Sequence, residues 1–412
     1  MKVLMCPLSD PGFLYPVISV GKELKRRGHE VRLLGRRSAA APAVLAGVPV
    51  TLVEDRHAAA FSASGWVRRQ YDQYALILDT LRSFRADVVL TSVFGHGALL
   101  AAERSGVPTV VLGLAAYLWP YASGAADEPE LPALRRSRLH DMTRLYQDLR
   151  EQAGLSRGPE SEAARSLLGD RYLLRGHPAL EYPGSELPDV VRHVGPCFWE
   201  PEPDDSVKAQ LDGVIARRGK PLVYVHLGRR FQANDIWPHL NSLFAGSPFQ
   251  AVVELGRSEN PAPAPHADLV TVRLPWMRPL VEQASLVLTS ATSAPVLGAL
   301  LHGRPLVVSP AGAEQPLLAE ACIRAGLARK LPEPALPEFL EEVAGDARLT
   351  DAAQDLSAEL RSAAGPHSAA DEVEEVTHSG CIHIRTDVAE MRQTTTRRRI
   401  AEAKLQNEMH RF

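Results

Sequence analysis

Residues 284–315 read ASLVLTSATSAPVLGALLHGRPLVVSPAGAEQ, and the order of their elements decides the fold. Leu286 to Leu288 is a short apolar run that reads as a buried strand, and small hydroxyl residues follow it. A helix is expected from near Ser293, with Pro295 in its first turn, where a missing N–H removes no hydrogen bond. Gly303-Arg304-Pro305 stops that helix. A second apolar strand runs from Leu306 to Val308, and the loop beyond it ends in Glu314-Gln315. Strand, small-residue turn and helix together make an anion site. The first-turn N–H groups have no partner inside the helix, and the macrodipole adds partial positive charge there.

The same alternation extends outward. In the first half, strands are expected at Val3–Cys6, Val31–Leu34, Val48–Val53, Val88–Leu90 and Thr109–Leu112, separated by helical patterns at 17–27 and 98–104. The second half repeats it, with strands at Leu222–Leu227, Ala251–Leu255 and Leu269–Val272 before the two already named. Continuous apolar runs separated by helices predict parallel sheets buried on both faces. Ser105-Gly106-Val107-Pro108 and His302-Gly303-Arg304-Pro305 each precede an apolar strand, as two similar domains would require. The boundary is expected in CFWEPEPDD, residues 197–205, where prolines and acids interrupt the pattern. The expected organisation is α/β: a domain over 1–197, a second over 206–365, and a helix or tail over 366–412. Two doubly wound Rossmann-like domains would face each other across a cleft at the carboxyl ends of their strands.

Composition narrows the function. The chain has 412 residues, 45% hydrophobic and 23% charged, as in an ordinary two-domain globular enzyme. A net charge of −3 offers no bulk attraction to nucleic acid or anionic lipid. Cys6, Cys197, Cys322 and Cys381 lie far apart, without metal-ligand spacing, and read as free thiols of a reducing cytoplasm. No signal peptide and no membrane span are expected.

Several stretches, taken in order, resemble the antibiotic and macrolide branch of the UDP-glycosyltransferase-like family. They are the opening strand with its Pro- and Gly-containing loop, Tyr15-Pro16, the turn Arg27-Gly28-His29-Glu30, and Pro178-Ala179-Leu180-Glu181-Tyr182-Pro183. His193-Val194-Gly195-Pro196, Pro221 to Gly228, Pro275 to Leu280 and the stretch 284–315 complete the set. The resemblance implies a GT-B fold that binds a nucleotide-diphosphate sugar in the C-terminal half and an acceptor in the N-terminal half. It also implies positions for the machinery, and here this chain departs. Phe13 stands where similar enzymes have a base His, Ser92 where an Asp orients it, Ser290-Ala291-Thr292 where His-Gly-Gly is expected, and Gly298 where an acid suits a ribose hydroxyl. Glu314-Gln315 takes the place of an Asp-Gln pair and is able to contact sugar hydroxyls.

Inverting glycosyl transfer needs a stabilised departing diphosphate, an aligned nucleophile and usually a general base. Donor binding is expected from Ser290, Thr292 and Ser293 at the helix start, from Gly228 and Arg229 at a strand end, from Trp276 beside the base, and from Glu314 and Gln315. Arg229 would supply the cation for the missing His, although a solvated surface arginine reads equally well from sequence. Asp10 is the leading candidate for the base, with His96 second, and an acidic acceptor would need little help from either. Phe13, Ser92, Phe94, Tyr117 and Trp119 are expected around an apolar acceptor. Tyr121 is expected at the pocket with Tyr117 and Trp119, whereas Phe61, Trp66, Tyr71 and Tyr74 read either as pocket or as packing, and His29 reads as structural. No cofactor and no metal are expected, since no Asp-x-Asp occupies the phosphate region. A homodimer or protein partner is left open. A catalytically silent relative, acting as activator or nucleotide-sugar binder, is the alternative reading.

Overall fold

A computed structural model describes residues 1–53, 70–119, 131–182, 185–216, 219–228, 236–255, 268–272 and 277–378. Among these, two all-parallel sheets account for the apolar runs. The first has seven strands in the order β3-β2-β1-β4-β5-β6-β7. They are β1 Lys2–Cys6, β2 Glu30–Gly35, β3 Val50–Leu52, β4 Val88–Ser92, β5 Thr109–Leu112, β6 Arg171–Leu174 and β7 Val191–His193. The second has six in the order β10-β9-β8-β11-β12-β13, from β8 Leu222–His226, β9 Gln250–Glu254 and β10 Leu269–Val272 to β11 Ala284–Thr289, β12 Leu306–Val308 and β13 Ala328–Lys330. Strands β6, β7 and β13 go beyond the runs picked from sequence, because each contains an arginine that shortens or breaks the apolar run.

Period-two alternation sorts each strand onto two faces. Val3 and Met5 join a core with Val17, Ile18 and Leu24 of the helix Pro11–Arg26, while Leu4 and Cys6 face the opposite core. That helix starts earlier than its apolar spacing implies. Asp10 caps it, accepting a hydrogen bond from Gly12 N at 3.1 Å, and Pro11 opens it. Pro16 lies inside the helix, and Ser19 Oγ donates to its carbonyl at 2.7 Å. The repeated helix stops are real structures. Gly106 and Gly303 both take left-handed backbone, at φ 65° and 62°, and the residues after them return hydrogen bonds to Ala102 O and Ala299 O.

The chain crosses between the sheets twice. The 195–197 segment meets residues 363–365 so closely that a Cβ on Gly195 would lie 2.7 Å from that of Ala363. Beyond this crossing, a helix over 366–378 returns to the first sheet and buries Ala369, Ala370, Val373 and Val376 in its core. Arg27 holds it in place, with Nη1 2.6 Å from Asp371 Oδ1 and 2.8 Å from Glu374 Oε2, while Nη2 donates to His367 O at 2.9 Å. His29 adds a 2.6 Å contact to Glu374, so the helix-to-strand turn serves as a clasp. Among the described residues no helix is long and apolar enough to cross a membrane.

Arg27→Ala would leave Glu23, Asp371 and Glu374 clustered without their shared cation. The expected outcome is a loss of about 1–3 kcal/mol in urea unfolding, with earlier proteolytic release of the 366–378 helix.

Candidate active site

Each sheet reverses its order between two central strands, β1 and β4 in the first and β8 and β11 in the second. Crossovers to either side diverge there, leaving an uncovered crevice at the carboxyl ends. The sequence candidates among the described residues lie at or behind these two crevices.

At the first crevice, the β1 loop and the β4 loop are tied together. Ser92 Oγ accepts from Leu8 N at 3.0 Å, and Thr91 Oγ1 donates to Cys6 O at 2.8 Å. Ser92, where the family resemblance led one to expect an orienting acid, thus holds the backbone of the loop that carries Asp10 and Phe13. Phe13 packs edge-on against Phe94, ring centroids 6.0 Å apart. Phe94 has φ 70°, a conformation that costs an L-residue about 1–2 kcal/mol. Gln70 compensates: its Nε2 donates to Phe94 O at 2.9 Å and its Oε1 accepts from Gly97 N at 2.7 Å. Nothing in the local sequence pattern marks Gln70 for this role. His96 opens the helix His96–Ser105 but is only 1% exposed, set edge-on to Tyr146. Its ring nitrogens have no hydrogen-bond partner among the described residues, and burial pushes its pKa down to about 4.

At the second crevice, β11 leads into Ser290, Ala291 and Thr292 before the helix Ser293–Leu301. Ala291 has φ 63°, so the turn keeps a glycine-like backbone without glycine, and its N–H reaches Thr289 Oγ1 at 3.2 Å. Thr292 occupies the N-cap position without a side-chain cap bond. Ser290 is fully buried, and its Oγ has no partner among the described residues. Ser290 N donates to the carbonyl of His226, the last residue of β8, at 3.2 Å. Gly228 follows with φ 52°, and a Cβ there would lie 4.0 Å from Ser290 Oγ. Gly298 is explained by packing: a Cβ would meet Met277 Cε at 2.6 Å, so Met277 fills the space where an acid was expected.

The crevices face each other. Ala115 N, beyond β5, donates to Ser293 Oγ at 3.1 Å, which leaves the serine hydroxyl proton available. Glu314 lies 3.6 Å from Arg138 Nη2 of the helix Leu131–Gln152. Gln315 Oε1 accepts from Ala311 N at 2.9 Å and shapes its own loop. The Glu181-Tyr182 motif is the seam between the halves. Glu181 Oε1 accepts from Tyr117 N at 2.7 Å, and the Arg324 guanidinium sits 4.2 Å over the Tyr182 ring.

Tyr117 and Trp119 are both buried, stacked edge-on at 5.3 Å, and Trp119 Nε1 lies 3.0 Å from Met142 Sδ. Phe94, Trp119, Arg138, Met142 and Tyr172 line a small cavity with room for about one water molecule. Tyr117 stands behind it, against Tyr172. Tyr74 is core, and Tyr71 lies beside it with 38% exposure. Arg229, Trp276, Phe61, Trp66 and Tyr121 lie outside the described residues. Three participants escaped the sequence reading: Gln70, Arg138 and His226. Only His226 left a signal, as a polar residue ending the apolar strand LVYVH.

No known family profile matches the chain. It is 27% identical over 359 residues to 4'-demethylrebeccamycin synthase of Lentzea aerocolonigenes, covering 76% of this chain and 83% of that protein. It is likewise 27% identical over 412 residues to demethyllactenocin mycarosyltransferase of Streptomyces fradiae, covering 89% and 84%. Among solved structures, the glycosyltransferase VinC in complex with dTDP superposes with a TM-score of 0.67 at 17% identity, over 92% of this chain and all of that one.

Two outcomes test the packing. Gly298→Asp would bury a carboxylate against the Met277 thioether and is expected to cost about 1–3 kcal/mol in urea unfolding. His96 binds its proton more weakly folded than unfolded, so its contribution is fully present above about pH 6.5 and is lost as pH falls towards 4. Replacing it, as in His96→Leu, is therefore expected to remove a stability loss on the order of 2–3 kcal/mol between pH 7 and pH 4, read by paired denaturation curves.

Proposed function

We propose that this chain, a GT-B glycosyltransferase related by sequence to antibiotic-making enzymes, moves a sugar from dTDP or UDP to a hydrophobic natural-product acceptor. In this reading the transfer inverts the anomeric centre and uses no metal ion. The observation that carries the reading is the second crevice: a helix N-terminus meets three hydroxyl residues at the strand reversal, and the Oγ of one of them, Ser290, is buried without a partner among the described residues. A diphosphate would satisfy those donors, and the helix dipole would favour the charge that builds on it as the sugar leaves. In this reading the hydroxyl and backbone donors and the helix dipole neutralise the diphosphate. Glu314 and Gln315 would take sugar hydroxyls near Arg138.

The acceptor would lie at the first crevice, over Phe13 and Phe94, with Trp119 beneath. Its hydroxyl oxygen would form the new bond to the anomeric carbon while the carbon–oxygen bond to the diphosphate breaks and its electron pair leaves with the phosphate. Asp10 would take the acceptor proton. It is the ionisable candidate at the cleft, whereas His96 is enclosed and neutral. One carboxylate oxygen accepts from Gly12 N, which fixes the side chain at the head of its helix.

Asparagine caps a helix as well as aspartate does, so Asp10→Asn separates the two roles. With dTDP-glucose or UDP-glucose and a panel of aromatic alcohols, kcat is expected to fall by about 100-fold or more, with donor affinity unchanged. Full activity in Asp10→Asn would rule out this base. Failure of both dTDP and UDP to bind in calorimetry would overturn the donor site itself.

A further inference from the structure

We infer that His226 is a ligand of the donor diphosphate, reaching it from the strand beside the Ser290 loop. The inference rests on the donor reading above and adds a residue to it. His226 ends β8, and Ser290 follows the end of β11, the two strands between which the sheet order reverses. The hydrogen bond from Ser290 N to His226 O, at 3.2 Å, fixes the two residues side by side. The face is fixed as well. Val223 and Val225 point to one core, whereas Tyr224 belongs to the other, together with Val296 and Leu300 of the helix Ser293–Leu301. Two residues along the strand, the His226 ring lies on the Tyr224 side, centroids 6.4 Å apart. It therefore shares the face of the sheet on which that helix begins.

Two polar atoms at this point are sealed from solvent with no hydrogen bond to any other described residue, Ser290 Oγ and His226 Nδ1. Leaving a buried polar group unpaired is unfavourable, and two at one strand reversal mark a place completed by a ligand. Both can donate a hydrogen bond, and the adjacent first-turn N–H groups only donate. Such a set of donors selects an anion. The spread from His226 and Gly228 on one strand to Thr292 and Ser293 on the helix suits two linked phosphates better than one.

Burial holds the pKa of His226 below the usual imidazole value, an effect partly offset by its own backbone carbonyl and the Asp10 carboxylate across the cleft. A bound diphosphate adds negative charge on the same side and favours a proton on the ring. The imidazole would then donate to the departing phosphate as the sugar bond breaks.

Calorimetric titration of the full chain with dTDP and with thymidine tests the assignment. In His226→Ala, dTDP affinity is expected to fall at least about 10-fold, with thymidine affinity within twofold of the parent. His226→Gln, which keeps one side-chain donor, is expected to recover part of the loss, and it substitutes for the alanine variant if that one does not fold. An unchanged ratio of dTDP to thymidine affinity overturns the inference, whether neither affinity moves or both fall together. Failure of the unaltered chain to bind dTDP and UDP is a different result. It removes the donor site, and the role of His226 with it.

Discussion

A parallel sheet that grows from its middle outward in both directions must leave one gap, and the candidate site of this protein is built on that gap. Every crossover from strand to parallel strand carries its helix over one face of the sheet with the same handedness. When the order runs β1 to β3 one way and β4 to β7 the other, the helices after β1 and β4 diverge to opposite faces. The carboxyl ends of those two strands are then the place where backbone donors and short loops stand open. The second sheet repeats the arrangement at β8 and β11. Two such gaps brought face to face, and tied by the bond from Ala115 N to Ser293 Oγ, make a cleft lined from both sides.

The two gaps differ in how their polar groups are satisfied. At the first, Ser92, Thr91 and Gln70 spend their hydrogen bonds on backbone, and Gln70 holds Phe94 at a φ of 70°. This mouth is stiff and apolar, suited to a shape. At the second, Ser290 and His226 keep unpartnered atoms under a helix N-terminus, and Ala291 holds a left-handed turn. That mouth has hydrogen-bonding capacity with no internal use, suited to a charge. The asymmetry is a property of the two loops themselves, and the proposed division into acceptor and donor sides rests on it.

Much of this was legible in the sequence. The apolar runs located the long strands, and Gly106 and Gly303 marked helix ends that do take left-handed backbone. The loop at 290–293 was recognisable because small hydroxyl residues before a proline-opened helix have few other uses. The departures at Phe13, Ser92 and Gly298 could be seen as departures, but their causes could not. Ser92 bonds to Leu8, 84 residues away, and Gly298 makes room for Met277. Short strands such as Val191–His193 were missed because VRH holds only one apolar residue and so forms no apolar run. Arg138 and Gln70 were missed because their partners, Glu314 and the Phe94 loop, come from distant parts of the chain.

Taken alone, the sequence determined the class of fold, the number of sheets and the position of the hydroxyl-rich loop before the helix Ser293–Leu301, since these follow from hydrophobic periodicity and local backbone preference. Tertiary structure decided which polar groups remain available for a ligand. Whether Ser290 Oγ is free or Ser92 Oγ is used depends on what another strand places within about 3 Å, the reach of a hydrogen bond. His226 shows the division most clearly. Its sequence neighbours record only a polar residue at the end of an apolar strand, and the register of β8 against β11 sets it beside Ser290. Local chemistry writes the elements, and the pairing of distant strands assigns their side chains to a site.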